Sequence, residues 1–162
     1  MKKLKNRKAC HFATPMNNHA SKVIRIPFEI IELENNSFHI LIKVEVNRIQ
    51  GDMIVDTGAS VSVVDENIFP KNTENQTDRN TKIQANSISG EINHTRIVKV
   101  QSFKSGKLDL KEVLFAAINL TYVNDIYSKY LDRQIIGLLG CDFCVRHRVV
   151  INYHTKEISL PI

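Results

Sequence analysis

The feature that most limits how this chain can fold is Met53–Val64, MIVDTGASVSVV, where a run of apolar and β-branched residues meets an aspartate and is broken by glycine. Short apolar runs rich in Val and Ile and bounded by a turn signal predict a buried strand. A carboxylate at the end of such a strand is costly, because a charge taken out of water must find partners or neutralise. Asp56 therefore marks a position for which the chain has a use, and Thr57, Gly58 and Ala59 supply the turn that follows it.

The remainder is built from similar short runs. VIRIPFEII alternates in part, SFHILIKVEV and NRIQGDMIV predict two strands joined near Asn47 and Arg48, and SVSVV predicts a short strand after the turn. Glu66 to Thr81 is polar and predicts a surface loop. KIQANSISGEINHTRIVKV predicts a β-hairpin with its tip at Ser87, Ile88, Ser89 and Gly90. LDLKEVLFAAINL predicts a further strand, and TYVNDIYSKYLDRQ fits a short helix or a long loop. IIGLLGCDFCVRHRVV begins as a buried strand and turns helical from Cys141, and VVINYHTKEISL closes as a hairpin around His154 to Lys156. With no long amphipathic helix and no low-complexity tract, the reading is mainly β, with one domain over residues 23–162 behind a leader at residues 1–22. MIVDTGAS and IIGLLGCD echo one another, by internal duplication or by chance.

The net charge of +5 suggests nucleic acid until it is located. Lys2, Lys3, Lys5, Arg7 and Lys8 account for all of it, leaving 17 basic and 17 acidic residues in the rest of the chain. The basic arm is read as a solvated tail, so nucleic acid is not the expected partner. No apolar segment of signal-peptide type follows these cations, which predicts a cytoplasmic protein, and the apolar runs are too short to span a membrane. Cys10, Cys141 and Cys144 are an odd number, which argues against a disulfide framework. Cys141, Cys144 and His147 have a metal-like spacing, but a closed zinc site takes four ligands and no second pair is evident. The cysteines are read as small buried hydrophobes, with no metal and no cofactor expected.

Taken together, IVDTGASVSVV (Ile54 to Val64), a later hairpin, IIGLLGCDFC (Ile135 to Cys144) and the closing VVINYHTKEISL resemble the retropepsin-like aspartic proteases over roughly residues 38 to 160. The resemblance implies a closed β-barrel of the acid-protease type, with one short helix after the Leu-Leu-Gly segment. It implies peptide or protein substrates and a homodimer, because the chain carries a single Asp-Thr-Gly and a two-fold axis brings the same residue to itself. Two Asp56 carboxylates sharing a proton would activate water and polarise the scissile carbonyl. Asp142 is the in-chain alternative partner, but the resemblance makes that position a structural hydrogen-bonding residue.

By the same resemblance, Thr57 would bond across the axis and Gly58 would leave its N–H free for a carboxylate. Ala59 stands where pepsin-like members carry a hydroxyl, which predicts an optimum less acidic than pepsin's. Ser87, Ile88, Ser89 and Gly90 would form a flap pairing with substrate backbone. Ile136, Leu138, Leu139 and Gly140 would support the catalytic loop as core residues. Ser60 and Cys141 replace the acid and arginine that pair in retroviral members. Two other classes stand beside the peptidase: a catalytically silent dimerisation or peptide-binding module of the same fold, and a nucleic-acid-associated protein using the basic arm.

Overall fold

The computed structural model describes residues 22–69, 86–87, 90–91 and 96–161. The strands are β1 (Val23–Pro27), β2 (Glu29–Leu33), β3 (Ser37–Val46), β4 (Ile49–Val55), β5 (Val63–Asp65), the short pair β6 (Asn86–Ser87) and β7 (Gly90–Glu91), β8 (Arg96–Ser105) and β9 (Leu108–Ile118). Helix α1 (Thr121–Tyr127), β10 (Ile135–Leu139), helix α2 (Cys141–Arg146), β11 (Val150–Asn152) and β12 (Glu157–Pro161) complete the order.

The mainly β reading holds, and the sheet closes on itself. Its order is β2-β3-β4-β10-β5-β9-β8, and a further pairing of β8 with β3 joins six of the strands into a barrel. Closure depends on a tight turn after β3. Asn47 and Arg48 both take positive φ, 48° and 72°, the backbone that two-residue hairpins need to match strand twist. The Asn47 side chain then accepts hydrogen bonds from the N–H groups of Gln101 and Ser102, while its own N–H donates to the Ser102 carbonyl. A residue that suits the turn thus also pins β8 against the end of β3.

Alternation along the strands sends one set of side chains inward. Val46, Met53, Val64, Val100, Phe103, Phe115 and Ile136 fill the barrel interior. Each such side chain contributes about 1.5–3 kcal/mol on burial. A second, smaller core lies outside the barrel, where Leu41, Ile54, Leu120, Tyr127 and Ile135 pack together beneath α1. The segment that fitted either a helix or a loop is therefore helix for seven residues, with its buried face on this second core, and among the described residues it adds a second short α-helix to the one expected after the Leu-Leu-Gly segment. The other difference is at SVSVV, where only Val63–Asp65 is strand. Ser60 to Ser62 belong to the turn, because they bend around β10.

That bend follows from the placement of β10. It runs parallel to β4, with Leu138 facing Ile54 and Leu139 facing Val55, and antiparallel to β5, with Gly137 facing Val64. The chain leaving β4 must therefore arch over the end of β10 before pairing on its far side. Gly137 allows the squeeze: a Cβ there would lie 2.2 Å from Met53 Cε and 2.4 Å from the Val63 carbonyl oxygen. The two echoing segments are thus parallel neighbours. Outside the barrel, β1, β12 and β11 form a three-stranded antiparallel sheet, in which β11 and β12 are the predicted closing hairpin.

Among the described residues, no helix is long and apolar enough to cross a membrane. Residues 1–21, which hold the basic arm, lie outside the described residues, as do residues 70–85.

Candidate active site

Asp56 leaves the end of β4 as the first residue of the arch. Its N–H donates to the Leu139 carbonyl at 2.9 Å, so the backbone stays tied to β10 even as the strand ends. The side chain is half-buried, and Thr57 and Gly58 beyond it are exposed. One carboxylate oxygen accepts the Gly58 N–H at 2.9 Å, and Ala59 N–H returns to the Asp56 carbonyl at 3.2 Å. The four residues make a tight turn that presents one carboxylate at the barrel's edge.

The arch is locked to the start of α2. Cys141 N–H donates to the Ala59 carbonyl at 2.7 Å. Ser62, buried at 2% exposure, accepts the Gly140 N–H at 2.9 Å and donates its hydroxyl to Asp142 at 2.6 Å. The same Asp142 oxygen accepts the N–H groups of Ser62, at 2.9 Å, and of Phe143, at 2.8 Å. Hydrogen bonds to an ionised acceptor are among the stronger ones. Gly140 is fixed by contact: a Cβ would meet the Ala59 carbonyl oxygen and the Val61 carbonyl carbon at 2.8 Å, and both are backbone atoms that cannot swing aside. Asp142 is thus committed to holding the arch, which matches its expected structural role.

The remaining expected site residues divide. Ile136 and Leu139 are buried in the barrel core, while Leu138, half-buried, packs on the second core; the register shift between Ile135 and Gly137 breaks the alternation that would put Ile136 and Leu138 on one face. Of the flap residues, Ser87 faces Gly90 in the β6–β7 pair, and Ile88 and Ser89 lie outside the described residues. Cys141 is exposed and Cys144 half-buried. Burial pushes the Cys144 thiol up, with the neighbouring Cys141 and Asp142 adding to it, and pushes the His147 imidazole down, with Arg146 adding to that.

Three features escaped the sequence reading. Ser62 looked like one of several turn serines. Tyr127 contributes its hydroxyl to a hydrogen bond with His39 Nδ1, and its phenol is pushed up to about 12, first by burial and then by the charge of Asp56. Asp52, buried within β4 at 2% exposure, faces Arg133, whose Nε lies 3.0 Å from Asp52 Oδ2 without hydrogen-bond geometry. Arg133 also grips Glu29 with both terminal nitrogens, at 3.1 and 2.6 Å. Burial pushes the Asp52 carboxyl up, and Arg133 opposes it.

No curated protein matches this chain at a significant level. Solved structures similar to it include a retropepsin-like aspartic protease from Rickettsia conorii, 21% identical, covering 90% of this chain and 96% of that one with a TM-score of 0.48. Another is the retroviral protease-like domain of Ddi1 from Leishmania major, 12% identical, covering 74% and 86% with a TM-score of 0.45. The aspartyl protease family model matches residues 42–143, which takes in the arch, the β6–β7 pair and the start of α2. By that match, over more than half of its length, the chain belongs to the aspartyl protease family.

Proposed function

We propose that the protein is an aspartic endopeptidase that works as a homodimer, pairing Asp56 of one protomer with Asp56 of the partner subunit. The observation that carries this reading is the contrast within the arch. Among the described residues the Asp56 carboxylate accepts a single hydrogen bond, from Gly58, while the arch around it is held through the Asp56 N–H on Leu139, the Ala59 carbonyl under Cys141 and Ser62 on Asp142. A held but under-partnered carboxylate at a strand end is suited to bind water and a second carboxylate.

The chemistry follows from two such groups on a two-fold axis. Close like charges do not both ionise, so the pair holds one proton between them. The ionised member takes a proton from water as the oxygen attacks the scissile carbonyl, and the protonated member donates to the developing oxyanion. Collapse of the tetrahedral intermediate passes a proton to the leaving amine. Thr57 bonds across the axis, and the Ser87 to Gly90 hairpin covers the substrate and pairs with its backbone.

The test is cleavage of an unfolded protein by wild type and Asp56→Asn from about pH 4 to pH 8, around and above the carboxylate range, with oligomeric state measured alongside. Wild type is expected to cleave as a dimer and Asp56→Asn to dimerise without cleaving. A folded wild-type dimer that cleaves nothing would contradict the proposal and favour a silent module of the same fold.

A further inference from the structure

Cys141 and Cys144 sit where α2 meets the arch. Cys144 N–H donates to the Gly140 carbonyl at 3.2 Å, so both cysteines belong to the first turn of α2, one turn apart on the same face. A small buried hydrophobe accounts for half-buried Cys144 but not for Cys141, which is exposed. A metal does not account for the pair either. Among the described residues no three His, Cys, Asp or Glu side chains are grouped to hold one, and the His147 ring is packed on Phe143, with centroids 4.4 Å apart.

Thiol–disulfide exchange needs one accessible sulfur to attack and a second within reach to resolve. Exposed Cys141 suits the first part. Half-buried Cys144, whose thiol is pushed up by burial and then by Cys141 and Asp142, stays protonated and suits the second. A bond between them strains the helix. Side chains three apart on a regular helix have Cβ atoms about 5–6 Å apart, whereas a disulfide needs about 3.5–4.5 Å. Closing it draws Cys141 towards Cys144 and pulls on two arch contacts: Cys141 N–H on the Ala59 carbonyl at 2.7 Å, and Asp142, between the cysteines, on Ser62. Strained or exposed disulfides are the labile, readily reduced ones.

We propose that Cys141 and Cys144 form a redox-active dithiol, which a small-molecule disulfide such as oxidised glutathione closes to a disulfide, and that closure loosens the arch carrying Asp56. The Cys141 sulfur attacks one sulfur of the small disulfide and expels the other as a thiol, leaving a mixed disulfide. The Cys144 sulfur then attacks the Cys141 sulfur and expels the second thiol. The two cysteine protons leave with the two thiols, so the protein loses two electrons and one small disulfide gains them. The consequence for cleavage rests on the peptidase reading above, whereas the bond and the loosening do not.

The test uses the full chain carrying Cys10→Ser, which removes the third thiol, in excess oxidised glutathione. Mass spectrometry should find the chain lighter by two hydrogens, with the bond inside the peptide that holds both cysteines, and dithiothreitol should reverse it. Cys144→Ala in the same background should instead keep one glutathione on Cys141. A chain that keeps all its thiol hydrogens, or that retains glutathione on Cys141 with Cys144 intact, would overturn the dithiol. Hydrogen exchange at the Cys141 and Ser62 amides should be about tenfold faster in the oxidised chain than in the reduced one, and equal rates would overturn the link to the arch. Oxidation should also lower kcat by about tenfold, restored by dithiothreitol, and an unchanged kcat would overturn the control of cleavage. If the reduced chain cleaves nothing, the peptidase reading fails instead, and mass and exchange still decide the bond and the loosening.

Discussion

Asp56 and Asp142 follow the ends of two parallel, neighbouring strands, yet they are treated in opposite ways. Asp142 has one oxygen accepting three donors, two from Ser62 and one from Phe143. Among the described residues Asp56 has one, from a glycine N–H in its own turn. A carboxylate that gathers three donors from two elements organises the backbone around it, whereas one bonded only within its own turn is available for water, substrate or a second acid. The difference teaches that the arch is built as a fixed frame around one free group.

The comparison would break first at Asp56 itself. Asp56→Asn is expected to lose activity by about 10³-fold or more, through loss of general acid–base chemistry, while stability in denaturant titration stays within about 0.5 kcal/mol, because the amide oxygen still accepts the Gly58 N–H. Asp142→Ala should do the reverse. Three donors lose their acceptor, and unfolding should show a loss of about 3 kcal/mol, with activity falling because the arch loosens. If Asp142→Ala is stable and inactive while Asp56→Asn is active, the two roles have been assigned the wrong way round.

Ser62→Ala sharpens the same point. It removes the hydroxyl that links Gly140 to Asp142 and leaves a buried N–H without an acceptor, for an expected loss of about 2 kcal/mol by calorimetry. A loss within error would show that the backbone bond from Cys141 to Ala59 suffices to hold the arch.

The smallest effect is expected at the far end of β4. Burial pushes the Asp52 carboxyl up from its ordinary value, with Arg133 opposing, so the folded state holds its proton to higher pH than the unfolded chain does. Stability from this group therefore falls as pH rises through that range. Glu29 is lowered, first by its hydrogen bonds from Arg133, and contributes stability above the ordinary carboxylate range. Arg133→Gln worsens both at neutral pH. The variant should lose on the order of 1 kcal/mol more at pH 7 than at pH 4 in denaturant titrations. An equal loss at both values would mean that Arg133 acts by packing alone.

The sequence made the strands and the arch legible because both are local signals. Strand periodicity, the Asp-Thr-Gly turn and the glycines of β10 sit within a few residues of the features they determine. The two-residue turn at Asn47 and Arg48 could be placed for the same reason. What the sequence did not give away are pairings set by register across the sheet. Ser62 meets Asp142 across eighty residues of chain, His39 meets Tyr127 across eighty-eight, and Arg133 returns to Asp52. Each is an ordinary polar residue in its own neighbourhood, and only the tertiary fold makes it a partner. The α1 segment was ambiguous because its buried face, with Val123, Ile126 and Tyr127, is covered by a second core that lies outside the barrel.

The central claim is that Asp56 acts as half of a symmetric pair, and a mixing experiment tests it most directly. Wild type and Asp56→Asn are combined at fixed total concentration, allowed to exchange subunits, and assayed for cleavage of an unfolded protein. If both carboxylates are needed, activity falls as the square of the wild-type fraction, because only dimers with two intact Asp56 residues cleave. Activity that falls in simple proportion to the wild-type fraction would mean that each protomer works with a carboxylate of its own, and would contradict the account.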